Sequence, residues 1–168
     1  RLEGTGKQGI IVPDADGYYE IVVGALDVFN SAGAFYDFQS AKAVFDASSS
    51  LQRRIASGQL RGEYGHPKRL PGQSMQDYIN RINTIDETNV CCHFKEIRLE
   101  HVLVKNDGGR PIIAIVAKLK PTGPKGPALA AQFANGSENV SFSIRSMTDD
   151  RYVGNVLQKS IRSVICWD

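Results

Sequence analysis

The sequence predicts a mixed α+β fold, rich in strands and formed as a single domain. Three observations carry that reading. Period-two alternation is clear in Val140–Ser146, where Val140, Phe142 and Ile144 fall on one face and Ser141, Ser143 and Arg145 on the other. A strong turn signal, Asp107-Gly108-Gly109, separates two strand-like runs. Helical patterning is confined to a few segments scattered between the strands.

Taken in order, Gly9–Val12 and Tyr18–Leu26 read as strands joined by the turn Pro13-Asp14-Ala15-Asp16-Gly17. Ser40–Ser57 reads as a helix: Val44, Leu51 and Ile55 share a face, Arg53 and Arg54 lie elsewhere, and Gly58 stops it. Leu60–Tyr64 is a short strand leading to His66. Pro71–Gln73 is loop, and Ser74 caps a helix to Ile82, with Met75, Tyr78, Ile79 and Ile82 apolar. Asn89–Val104 is a long strand and Pro111–Leu119 returns beside it. The Pro/Gly-rich loop Pro121–Pro127 precedes a short helix, Ala128–Phe133. Val140–Met147 and Asn155–Trp167 are the last strands. No repeat or long linker divides residues 1–168, and residues 1–8, without apolar periodicity, are expected to be disordered.

Composition narrows the function classes. With 168 residues the chain can bury about two thirds of its surface. A formal charge of +2 with no Lys/Arg run argues against nucleic acid. The longest apolar run, Ile112–Ala117, is far too short for a bilayer, so no membrane partner is expected. The chain begins with Arg1 and shows no secretory leader pattern, as a processed or trimmed form would. Three cysteines, two of them adjacent, are not a disulfide framework and fit a reducing compartment, where the sequons at Asn135 and Asn139 carry no meaning. Cys91-Cys92-His93 invites a metal, but only His66, His101 and Cys166 remain to complete a site, so no metal or cofactor is expected.

The most informative stretch is Gly58–Pro67, GQLRGEYGHP. Pro67 stiffens the chain and biases His66 toward an extended backbone, while Gly62 and Gly65 permit close approaches or unusual turns. A histidine held this way is suited to act as a base. The alternating segment Glu138–Met147 offers the nucleophile. A serine needs a base within hydrogen-bond reach and donors for the developing oxyanion. His66 is the candidate base, Ser143 or Ser141 the nucleophile, and Arg145 or nearby backbone N–H groups the anion stabiliser.

These residues resemble a family, the prohead maturation proteases of tailed bacteriophages, most closely the T-even type. Their block G-x-L-x-G-E-x-G-H-P is matched by Gly58, Leu60, Gly62, Glu63, Gly65, His66 and Pro67. A histidine-bearing strand is matched by NVCCHFKEI, residues 89–97, followed by the Pro-rich loop and by Phe142-Ser143-Ile144-Arg145-Ser146 for x-S-x-R-[GS]. The resemblance covers roughly residues 35 to 168. It implies a serine endopeptidase with a mostly antiparallel β-barrel surrounded by helices, like herpesvirus assemblin. Such enzymes act inside the immature capsid, in the host cytoplasm, on scaffold and capsid proteins and on themselves, and assemblin-like members work as homo-oligomers.

The resemblance makes His66 the general base and Ser143 the nucleophile. Ser141 stands where the commoner phage form has glycine, which keeps it as runner-up. For the third member, assemblin-like sites use a histidine after the serine, and none follows Ser143. The resemblance favours His93, with His101 and Glu63 as further candidates. A T-even-type preference for cutting after glutamate would call for a basic residue, Arg145, Lys68 or Arg69. Two rivals stand beside this reading: an inactive capsid- or scaffold-associated protein of the same fold, and a cysteine hydrolase using Cys91 or Cys92 with His66. Activity is expected to rise as His66 loses its proton.

Overall fold

The computed structural model describes residues 11–104 and 108–168. The expectation for residues 1–8, most of the strand predicted at Gly9–Val12, and Asp107 of the predicted turn lie outside the described residues; Ile11 and Val12 are irregular. Among the described residues seven strands and four α-helices follow in the order β1 (Tyr19–Leu26), β2 (Ala34–Tyr36), α1 (Phe38–Phe45), α2 (Ser50–Ala56), β3 (Arg61–Glu63), α3 (Met75–Asn83), β4 (Val90–Val104), β5 (Arg110–Pro121), α4 (Gly126–Ala134), β6 (Ile144–Val153) and β7 (Val156–Trp167). Among the described residues no helix is long and apolar enough to cross a membrane.

The predicted helix Ser40–Ser57 is two helices, because the Asp46–Ser49 interval competes for the backbone. Asp46 Oδ1 accepts from the Ser48 N–H at 2.9 Å and the Ser48 hydroxyl at 2.6 Å, turning the chain. Ser49 then caps α2 through the Gln52 N–H. α2 is tied to β7 by Arg54, whose Nη1 and Nη2 donate to the Val164 and Ile165 carbonyls at 2.9 and 2.5 Å. Ser74 caps α3, as its position before an apolar-periodic run predicts.

The strands form two sheets, in the orders β1-β5-β4-β3 and β2-β7-β6. All ladders are antiparallel except β2–β7. The mixed, mainly antiparallel α+β class is as expected, but the barrel is not closed: among the described residues β1 pairs only with β5 and β6 only with β7, so no ladder joins them. β2 has too few residues to show a period in sequence. β6 continues past Met147 to Val153, where cross-strand polar pairs replace apolar alternation: Lys159 to Asp150 at 2.7 Å, Arg151 to Gln158 at 3.0 Å, and Arg162 to Asp149.

The core lies between the sheets. Ile112–Ala117 is buried along its whole length, which explains an apolar run without alternation. Trp167 is fully buried, with its ring 6.0 Å from Phe94 and 6.3 Å from Phe45. Opposite it, Gly62 has no room for a side chain, since a Cβ there would stand 2.2 Å from the Trp167 carbonyl oxygen. This close approach brings β3 to the end of β7, and with it two functional segments together.

Candidate active site

β3 ends at Glu63, and the chain turns through Tyr64 and Gly65 (φ 92°) to His66. The turn is pinned to the start of β4: the Tyr64 N–H donates to the Asn89 carbonyl at 2.9 Å, and the Asn89 amide donates back to the Tyr64 carbonyl at 3.2 Å. Pro67 is buried, whereas the His66 side chain is 37% exposed. Its Nδ1 lies 3.2 Å from Asp168 Oδ2. With Nδ1–H donated to that carboxylate, Nε2 is left as the proton acceptor.

Asp168 is buried and fully furnished with donors. Oδ2 also accepts from Arg145 Nε at 2.8 Å; Oδ1 accepts from Arg145 Nη2 at 2.8 Å, from the Glu63 N–H at 3.1 Å and from the Cys166 thiol at 3.1 Å. Desolvation by burial raises its pKa, but the hydrogen bonds from His66 and Arg145 outweigh it, and the net shift is downward. Asp168 is therefore an anion across the neutral range.

Ser143 is tied to the same residue. Its N–H donates to the Asp168 carbonyl at 2.8 Å and its carbonyl accepts from the Asp168 N–H at 2.9 Å, which extends the β6–β7 ladder by one pair. Directly opposed residues of an antiparallel pair put their side chains on the same face. The Ser143 hydroxyl is thus on the face of the carboxylate that holds His66. Ser141 is exposed two residues upstream, beyond the last ladder pair. His66, Ser141, Ser143 and Asp168 all line one cleft of about 620 Å³, together with Val23–Leu26 of β1 and Asn139–Ile144.

The sequence model of the Peptidase S80 family matches residues 1–168. The chain belongs to the Peptidase S80 family. It is 41% identical over 171 residues to the capsid maturation protease of Pseudomonas phage phiKZ, an alignment covering 99% of this chain and 62% of that protein. The chain therefore spans less than two thirds of the relative's length. Its fold is shared with the bacteriophage T4 capsid assembly protease, with a TM-score of 0.58 and 16% identity over 96% of this chain and 90% of that one.

In this S80 chain the neighbour of the His66 imidazole is Asp168, not His93. Cys92 and Phe94 on β4 are fully buried, so strand alternation turns His93 to the opposite face. There its Nδ1 meets the Tyr18 hydroxyl at 3.0 Å. His101, further along β4, is exposed and stands edge-on to Phe38. Glu63 is buried, and its oxygens accept from Arg81 at 2.9 and 2.5 Å, from the Asp86 N–H at 2.9 Å and from Asn89 at 3.3 Å.

Arg145 shares a strand face with Ser143, as alternation predicts, but that face is covered at Arg145. Besides its two bonds to Asp168, it reaches Glu63 Oε1 at 3.0 Å and the Thr84 and Ile82 carbonyls at 3.0 and 3.5 Å. All five guanidinium donors are thereby engaged. Arg145, expected at the oxyanion or substrate, lies buried between the Asp168 and Glu63 carboxylates with its donors directed inward. In the sequence Asp168 is marked only as a carboxylate that follows the apolar run Val164-Ile165-Cys166-Trp167.

The thiols offer little to nucleophilic chemistry. Cys91 borders the cleft but is 3% exposed, although a hydrogen bond with Cys92 lowers its pKa. Cys92 is pushed well up by that same bond and by burial, and Cys166 is pushed up by burial and the Asp168 charge.

Glu63 links this site to acid stability. Burial raises its pKa, but bonds from Arg81, the Asp86 N–H, Arg145 and Asn89 prevail, bringing it from 4.5 to about 2. A depressed folded-state value contributes stability that is complete above about pH 5 and is lost as pH falls through about 2. The amount is on the order of 3 kcal/mol in all, of which about 2 should be gone at pH 3. Urea midpoints at pH 6 and pH 3 should show this loss, and Glu63→Gln should reduce the difference by about that amount. An unchanged pH slope in Glu63→Gln would contradict the assignment.

Proposed function

We propose that the chain is a serine endopeptidase that cleaves scaffold and capsid proteins, and itself, inside a maturing phage prohead. The observation that carries this reading is the His66–Asp168 contact with Ser143 paired to the same aspartate. Membership of a peptidase family and the name of the phiKZ relative support the substrate class. An inactive role on the same fold is disfavoured, because a surface histidine without chemistry has no need of a buried, ionised partner.

The chemistry follows from the atoms. Ser143 Oγ bonds to the scissile carbonyl carbon while its proton passes to His66 Nε2. The imidazolium is stabilised by Asp168 Oδ2 across Nδ1–H. Backbone N–H groups bordering the cleft serve the oxyanion in place of Arg145. Collapse breaks the C–N bond, and the Nε2 proton leaves with the amine. Water then attacks the acyl-enzyme by the same steps, with His66 again as base, and releases the carboxylic acid and Ser143. A protonated imidazole cannot begin this sequence, so the reaction requires His66 in its neutral form.

The test is a diphenyl phosphonate ester of a glutamate-terminated peptide, mapped by mass spectrometry after incubation at pH 8 and at pH 5. The expected result is one adduct, on Ser143, formed faster at pH 8. An adduct on Ser141 would move the nucleophile, and one on Cys91 or Cys92 would overturn the serine mechanism.

A further inference from the structure

We infer that Ser141 is a catalytic residue beside Ser143: its hydroxyl donates to the oxyanion that forms when Ser143 attacks. This rests on the proteolytic reading, in which Ser143 is the nucleophile and His66 its base.

The donors that would ordinarily meet that charge are committed elsewhere. In a serine protease the N–H of the nucleophile itself is a usual oxyanion donor. Here the Ser143 N–H is held by the Asp168 carbonyl at 2.8 Å, in the pair that sets the nucleophile beside the carboxylate. Arg145, two residues further along the strand, is buried, and its donors go to Asp168, Glu63 and the Ile82 and Thr84 carbonyls. The tetrahedral oxygen therefore needs a donor from another part of the cleft.

Ser141 is placed to supply one. Exposure alternates along residues 139–144. Asn139, Ser141 and Ser143 are exposed, whereas Val140, Phe142 and Ile144 are half-buried and pack against the core. Such alternation marks extended chain and puts both hydroxyls on the outward face. Packing of Val140 and Phe142 on either side fixes the direction of Ser141. Both serines line the cleft that His66 also lines. Residues two apart on a strand are about 6.7 Å apart, and a donor acts about 3 Å from the oxyanion. A carbonyl oxygen seated between the two hydroxyls is within reach of both, one attacking its carbon and the other donating to it.

The hydrogen bond strengthens only where it is needed. As Ser143 Oγ bonds to the carbonyl carbon, its proton passes to His66 Nε2 and the carbonyl π pair moves onto oxygen. The Ser141 O–H donates to that oxygen and keeps its own proton. When the pair returns to re-form the carbonyl, the C–N bond breaks and the amine leaves with the Nε2 proton. The contact thus favours the transition state over bound substrate. Backbone N–H groups bordering the cleft share the charge.

The test compares the wild-type chain with Ser141→Ala and Ser141→Thr. The substrate is a glutamate-terminated peptide anilide. The probe is the matching peptidyl trifluoromethyl ketone, carbon-13 labelled at its carbonyl, which adds a serine hydroxyl to give a hemiketal whose oxygen ionises. Ser141→Ala is expected to lower kcat about 10²-fold with KM within about threefold. Its hemiketal oxygen should ionise about one pH unit or more above that of the wild type, because a donor to the anion is gone. Its melting temperature should be unchanged, since the side chain is exposed. Ser141→Thr keeps the hydroxyl and should recover kcat to within about tenfold of the wild type. A merely structural role would leave the hemiketal ionisation where it was. A kcat loss below about threefold in Ser141→Ala, or an unmoved ionisation, would overturn the assignment and leave the proteolytic reading intact. A hemiketal lost in Ser141→Ala but kept in Ser143→Ala would make Ser141 the nucleophile and end its role as donor. No hemiketal on either serine of the wild type would overturn the proteolytic reading and this inference together.

Discussion

Asp168→Asn is expected to lower kcat/KM by about 10³- to 10⁴-fold, while His93→Ala leaves it within about threefold. The large figure is that of a triad whose histidine loses its anionic partner and adopts the wrong tautomer. An asparagine at 168 can present its NH₂ group to His66 Nδ1, which would then have to accept and leave the proton on Nε2, where the serine proton must go. His93 bonds to Tyr18 on the opposite face of β4, so its removal should cost only a surface contact. The measurement is steady-state cleavage of a quenched peptide, with thermal melting alongside to show that both variants fold. Equal losses in the two variants, or a loss confined to His93→Ala, would return the third position to His93.

The second large effect is on stability. Arg145→Met should destabilise the fold by about 3–5 kcal/mol, because it leaves the buried Asp168 and Glu63 carboxylates without their shared cation. For a chain of this size that is a fall in melting temperature on the order of 10 °C. Arg145→Lys should recover little of it, since an ammonium cannot reproduce the forked contacts to Asp168 or reach the Thr84 carbonyl in the same geometry. Calorimetric melting of the three proteins decides the matter: a loss below 1 kcal/mol in Arg145→Met would mean that Arg81, the Asp86 N–H and His66 suffice for the two carboxylates.

Much of the fold was legible because its signals are local. Ser74 before an apolar-periodic run identifies the start of α3, and a continuous apolar stretch marks β5 as a buried strand. The same locality explains the failures. The run Asp46-Ala47-Ser48-Ser49 reads as part of one helix because apolar periodicity spans it, although its side chains capture the backbone and break it. The alternation of β6 stops at Met147 because its outer half trades it for cross-strand polar pairs, which exist only once β7 lies opposite. At the site, the motif block singled out His66 and the alternating strand singled out Ser143 and Ser141, and these residues do border one cleft. Arg145 was placed on the right face, but whether that face is open or covered depends on α3 and β3, which approach from elsewhere in the chain.

The sequence by itself determined the periodicities, the caps and the turn residues, and from them the α+β class and the two segments that face the cleft. These follow from each residue's own geometry and its neighbours a few positions away. The tertiary structure alone decided that Asp168 meets His66, that Arg145 turns inward, and that among the described residues no ladder joins β1 to β6. Those outcomes depend on the β6–β7 register and on β3 reaching the end of β7, where Gly62 lies against Trp167. Such contacts join residues about a hundred positions apart, and no local pattern encodes which of several carboxylates will be carried to the imidazole.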